Sequence, residues 1–142
     1  MAFTFERYVQ KGDEFMQEVA KELGYSEDTD QAYRVFRAVV HTVRDNITPE
    51  ENLHFIAQLP MMIKAIYVDN WKISDKNIRH RDAFIEHVQK KNTNNNQRDL
   101  HTPEQTEEAI QKVFVVLRRH VSEGEMKDVL NMMPEEVQPL MT

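Results

Sequence analysis

The sequence has no cysteine, three glycines and a single tryptophan. Without cysteine there is no disulfide framework, no thiol nucleophile and no cysteine-based zinc site. The lack of cysteine also fits a reducing compartment. Three glycines, Gly12, Gly24 and Gly124, are too few and too scattered to form a phosphate-cradling loop. No serine stands in a nucleophile elbow, which argues against nucleophilic catalysis. The histidines at 41, 54, 80, 87, 101 and 120 contain no His-x-x-x-His pair. There is no run of 18 apolar residues to span a bilayer, and the first residues lack a basic region followed by an apolar stretch, so no signal peptide is expected.

What is present is helical and written twice. Asp28-x-x-Gln31, Thr48-x-x-Glu51, Thr102-x-x-Gln105 and Ser122-x-x-Glu125 have the form of capping boxes, a short polar cap followed three positions later by Glu or Gln. At a constant spacing of 74 residues, Gln31, Val39, Arg44, Glu51 and Pro60 fall on Gln105, Val113, Arg118, Glu125 and Pro134. A second echo sets Asp82-Ala83-Phe84 against Asp13-Glu14-Phe15 at a spacing of 69, which puts five added residues in the polar run 91–97. That run is expected to be a mobile loop.

Hydrophobic periodicity fills in the helices. Phe5, Val9, Gly12, Met16, Val19 and Leu23 form the stripe of a first helix over about 3–23, with Gly24 as its stop and Glu14, Glu18 and Glu22 on a solvent face. Ala32, Val35, Phe36, Val39, Val40, Val43 and Ile47 form the cleanest stripe; its β-branched residues have weak helix propensity and need burial, so a central helix is expected. Leu53, Ile56, Leu59, Ile63 and Ile66 follow, and Pro60 should kink or break that helix. In the second half Ile110, Val113, Phe114, Leu117 and Val121 repeat the central stripe, and Val129, Leu130, Met133, Val137 and Leu140 repeat the third. The expected fold is all-α: one compact bundle of two pseudo-symmetric three-helix repeats, about 3–67 and 79–140, joined by a linker over 68–78 that Trp71 plugs onto the body.

These segments also carry a family resemblance. Phe15-x-x-x-Val19, the run Ala32-Tyr33-Arg34-Val35-Phe36-Arg37-Ala38-Val39-Val40-His41, Gln58-Leu59-Pro60, Tyr67-Val68-Asp69-Asn70-Trp71, Asp82-Ala83-Phe84 and Val121-Ser122-Glu123-Gly124-Glu125 resemble the bacterial domain of unknown function 2267 family over nearly the whole chain. The resemblance implies an all-helical domain in a bacterial cytoplasm and lends no activity, cofactor or site residue.

The net charge of −6 is uneven: residues 1–71 carry −5, residues 72–98 carry +4 and residues 99–142 carry −5. The basic middle, with Lys72, Lys76, Arg79, Arg81, Lys90, Lys91 and Arg98, could attract an anion or nucleic acid. Its few aromatics and the sequence pI of about 5.5 weigh against a dedicated nucleic-acid binder.

Glu51-x-x-His54 is half of the di-iron carboxylate pattern, and its repeat mate Glu125-x-x-Asp128 offers two more oxygen ligands. Against a metal site, both glutamates are expected to close capping boxes, and two further inward carboxylates are needed. The histidines are expected to be surface or half-buried structural residues. Met61, Met62, Met132 and Met133 beside the prolines either fill the core or mark a helix-binding or dimer face. The expectation is a non-enzymatic interaction or self-association module without a cofactor. Its partner would be a second copy or another protein, not a membrane. The alternative is a small-ligand or metal-dependent enzyme with its cleft between the repeats.

Overall fold

A computed structural model of the chain describes residues 2–73, 78–93 and 98–142. Those residues are all-helical, with seven α-helices and a terminal 3-10 turn: α1 (Glu6–Leu23), α2 (Thr29–Arg44), α3 (Pro49–Ala57), α4 (Met61–Val68), α5 (Arg81–Asn92), α6 (Pro103–His120), α7 (Glu123–Met132) and the turn Gln138–Leu140. The first half therefore holds four helices rather than three. Pro60 has no N–H to continue α3, so the helix ends at Ala57 and α4 restarts with Pro60 as its N-cap.

The caps stand where the sequence puts them. Gly24 takes the left-handed conformation (φ 79°) that ends α1. The side chains of Asp28, Thr48, Thr102 and Ser122 each accept from the backbone N–H three residues on, at 3.0–3.2 Å. Only Thr102 belongs to a complete capping box, in which Gln105 reaches back to the cap. Glu51 and Glu125 do not close theirs; their side chains go elsewhere.

The valine ladders of α2 and α6 are buried throughout. α2 packs mainly on α1 and α5, and α1 bridges to α6 and α4. α3 packs against α7 and α4. Phe15 meets Phe36 edge-on at 5.4 Å, tying α1 to α2. The α1 stripe is only half buried: Gly12, Met16 and Val19 lie inside, but Phe5 and Val9, expected in the core, are exposed, as is Leu53 on α3. Of the four methionines beside the prolines, Met133 is core and Met61, Met62 and Met132 are exposed. Trp71 is half-buried, and its amide nitrogen donates to the carbonyl of Val68 at 3.1 Å.

Asn52, Tyr67, Arg44 and His41 carry polar groups into this core and pair them largely through the backbone ends of the helices. Asn52 Nδ2 donates to the carbonyls of Arg44 (3.0 Å) and Thr48 (3.2 Å), and Tyr67 Oη donates to Asn52 Oδ1. Arg44 is buried because its Nη1 donates to the carbonyls of Tyr67 (2.8 Å) and Asp69 (2.9 Å) at the end of α4. His41, expected to be surface or half-buried, is buried in α2, its Nε2 donating to the carbonyl of Ile66 at 2.7 Å.

Asn92 also departs from expectation. It lies in the polar run but is buried: its Oδ1 accepts from the backbone N–H groups of Asp99 (2.8 Å) and Leu100 (2.9 Å), and its Nδ2 donates to Asp99 Oδ2 (2.9 Å). Arg34 on α2 completes the clasp with a bidentate pair to Asp99, both contacts at 2.9 Å. Asn94–Gln97, the rest of the expected loop, and Lys76 of the basic segment lie outside the described residues.

Candidate functional site

Thr48 and Ser122 start α3 and α7, so Glu51 and Glu125 occupy the first turn of each. Packing of α3 on α7 turns both side chains inward, leaving Glu51 8% and Glu125 7% exposed. The capping role expected for Glu125 is taken by Gln58, whose Oε1 accepts from the Ser122 N–H at 2.6 Å. Released from the caps, the two carboxylates meet each other. Glu51 Oε2 and Glu125 Oε1 are buried and have no hydrogen-bond partner. Two like charges out of water cannot both be ionised cheaply. Burial, the neighbouring Glu51 carboxylate and the charge of Asp128 push the Glu125 carboxyl up to about 8.

His54, one turn along α3, completes the cluster. Its Nδ1 lies 3.7 Å from Glu51 Oε2, and the imidazole is largely exposed. One ligand atom from each of Glu51, His54 and Glu125 lies within 4.8 Å of the others. Asp128, the fourth sequence candidate, is exposed and stands outside this group, acting on Glu125 through its charge alone. The di-iron pattern is likewise not completed by α1. Glu18 and Glu22, expected to face solvent, are half-buried and clamp Arg119 at 2.9 Å each; Glu18 also meets His120 Nε2 at 3.0 Å. Burial opposes ionisation of Glu18, but Arg119 and His120 outweigh it and hold its carboxyl below the usual range.

A second feature lies on another face. α1 and α4 flank a groove of about 440 Å³ floored by Met16, Ile63 and Ile66 and edged by Val9, Tyr33 and Met62. Gly12 lets the helices approach there: a Cβ at this position would stand 2.8 Å from the Met62 Cβ. The basic segment offers less. Arg81 pairs with Glu107 (2.9 Å), Lys90 with Glu86 (3.3 Å) and Lys91 with Asp45 (2.9 Å), so carboxylates already face much of its charge.

A family model described as an uncharacterized conserved protein, DUF2267, matches residues 12–140. The chain belongs to the DUF2267 family. The match spans every α-helix, entering α1 at Gly12, so both the carboxylate cluster and most of the groove fall within the family's extent. Comparison with curated proteins found no match. Among the described residues no helix is long and apolar enough to cross a membrane.

Proposed function

We propose that this DUF2267 protein is a non-enzymatic helical interaction module that associates with a second copy of itself through the α1–α4 face. The observation that supports this most directly is the unpartnered half of the α1 stripe. Phe5 is 68% exposed and Val9 47%, in line with the groove, and Met62 flanks it from α4. Phe3 stacks edge-on against Phe5 at 5.1 Å and extends the patch. A typical interface covers roughly 800 Å² per partner, and aromatic side chains contribute about 150–250 Å² each when buried. Two exposed phenylalanines with flanking Val and Met residues supply a large share of that area. A twofold arrangement sets the same patch on both copies, so each one's Phe5 and Met62 meet apolar surface.

The pseudo-repeat architecture is part of this reading. It is supported by the constant spacing of 74 residues and by the meeting of Glu51 with its repeat mate Glu125. A bacterial cytoplasmic setting also belongs to it, on the family resemblance and the cysteine-free sequence.

Light scattering over a concentration series tests the association. A dimer is expected, shifting to monomer in Val9→Glu and Met62→Glu. A strict monomer at all concentrations, or a dimer indifferent to both substitutions, would overturn the proposal.

A further inference from the structure

We infer that Glu51, Glu125 and His54 form a binding site for a single divalent transition-metal ion at the α3–α7 seam. The inference stands on an observation separate from the apolar face. Glu51 and Glu125 are each more than nine-tenths buried, and each holds an oxygen without a hydrogen-bond donor. Among the described residues no Lys or Arg forms an ion pair with either of them; the one basic side chain in range is the His54 imidazole. Two carboxyl groups removed from water hold a second negative charge only when a cation replaces the proton between them, and a buried acceptor left unpaired costs about 1–3 kcal/mol. A cation between the two oxygens meets both needs.

The donor set states which cation. Metal bonds to carboxylate oxygen and imidazole nitrogen are about 2.0–2.2 Å long. The three ligand atoms lie within 4.8 Å of one another, and rotation of the side chains that draws them together by roughly 1 Å or more sets them around one ion. Two carboxylates suit Mn²⁺, Fe²⁺ or Zn²⁺, and the imidazole favours these over Mg²⁺ and Ca²⁺, which take oxygen ligands. The exposed His54 ring lies on the solvent side, so an ion enters past it and keeps water in its remaining positions. Asp128 adds negative potential outside the ligand set.

The test uses the full chain, stripped with chelator and titrated separately with Mn²⁺, Zn²⁺, Co²⁺ and Mg²⁺. Calorimetry should give one transition-metal ion per chain, and thermal unfolding should shift upward with Mn²⁺ or Zn²⁺ but not with Mg²⁺. Bound Co²⁺ should show a visible ligand-field spectrum. Glu51→Gln and Glu125→Gln each remove the buried charge conflict, so both variants should unfold at a higher temperature than the stripped wild type while losing the metal response. His54→Ala should weaken binding by roughly tenfold or more. The inference is overturned if no transition-metal ion binds stoichiometrically, or if Glu51→Gln binds as the wild type does.

Discussion

His41 should make the protein acid-sensitive, and the size of the effect follows from its surroundings. Burial lowers its pKa from 6.5 to about 4, and the nearby cations Arg44, Arg37 and Lys91 push the same way, against the hydrogen bond to the Ile66 carbonyl. In the unfolded chain the imidazole takes up its proton near pH 6.5; in the folded chain it stays neutral down to about 4. The unfolded state therefore binds more protons in between. Stability is complete above pH 6.5, falls as pH drops through the window, and levels off below about 4. At 1.36 kcal/mol per pH unit the full loss is about 3 kcal/mol, of which about 2 is gone by pH 4.5.

Glu125 acts in the opposite sense over much of this range. Its raised pKa makes the folded state the better proton binder between its ordinary value of 4.5 and about 8. The raw profile thus blends two slopes, and the contribution of His41 is read as a difference. In urea unfolding at pH 7.5 and pH 4.5, His41→Gln, which keeps an N–H donor but cannot titrate, should lose about 2 kcal/mol less than the wild type. Asp99 and Glu18, both held below their usual ranges by their basic and hydrogen-bonding partners, are common to both proteins and cancel in the difference. A His41 ring resonance titrating near 6.5 in the folded protein, or parallel losses in the two proteins, would refute the assignment.

Four further substitutions probe the packing. Tyr67→Phe removes the donor to buried Asn52 Oδ1 and should cost about 1–3 kcal/mol by chemical denaturation. Asn52→Ala in a double-mutant cycle should show strong coupling to it. Asn92→Ala strands the Asp99 and Leu100 amides and should cost about 2–3 kcal/mol, seen as a lower melting temperature with faster amide exchange at residues 98–100. Gly12→Ala gains helix propensity but drives a Cβ to 2.8 Å from the Met62 Cβ, so a net loss of about 1–3 kcal/mol is expected; a gain would show that α4 yields easily.

The parts of the fold legible in the sequence are those set by local rules. The α2 ladder reads as central because valine at helical spacing has little reason to be there unless buried, and Val35, Val39, Val40 and Val43 are all core. Four caps, the Gly24 stop and the Pro60 break are decided within a few residues and fall in place. The candidate site was visible only as a spacing. Glu51 and Glu125 have the sequence of capping-box closers, and Gln105 with the same spacing does close its box. Which way such a side chain turns depends on what packs over the first turn, and α7 over α3 is a long-range fact. Asn92 was hidden for the opposite reason: a run of asparagines reads as solvated on average, while one member is buried because two backbone amides meet its carbonyl. Phe5 and Val9 fit the core period, but no second helix arrives to cover them.

The Asn92–Asp99–Arg34 clasp has a practical consequence. It fixes the points where the chain leaves α5 and rejoins the body, whatever lies between. Lengthening a closed segment is inexpensive, about 0.6 kcal/mol for each doubling. The interval 93–98 is therefore the natural place to graft an epitope, a fluorophore-bearing peptide or a guest domain, with the helices left undisturbed on either side.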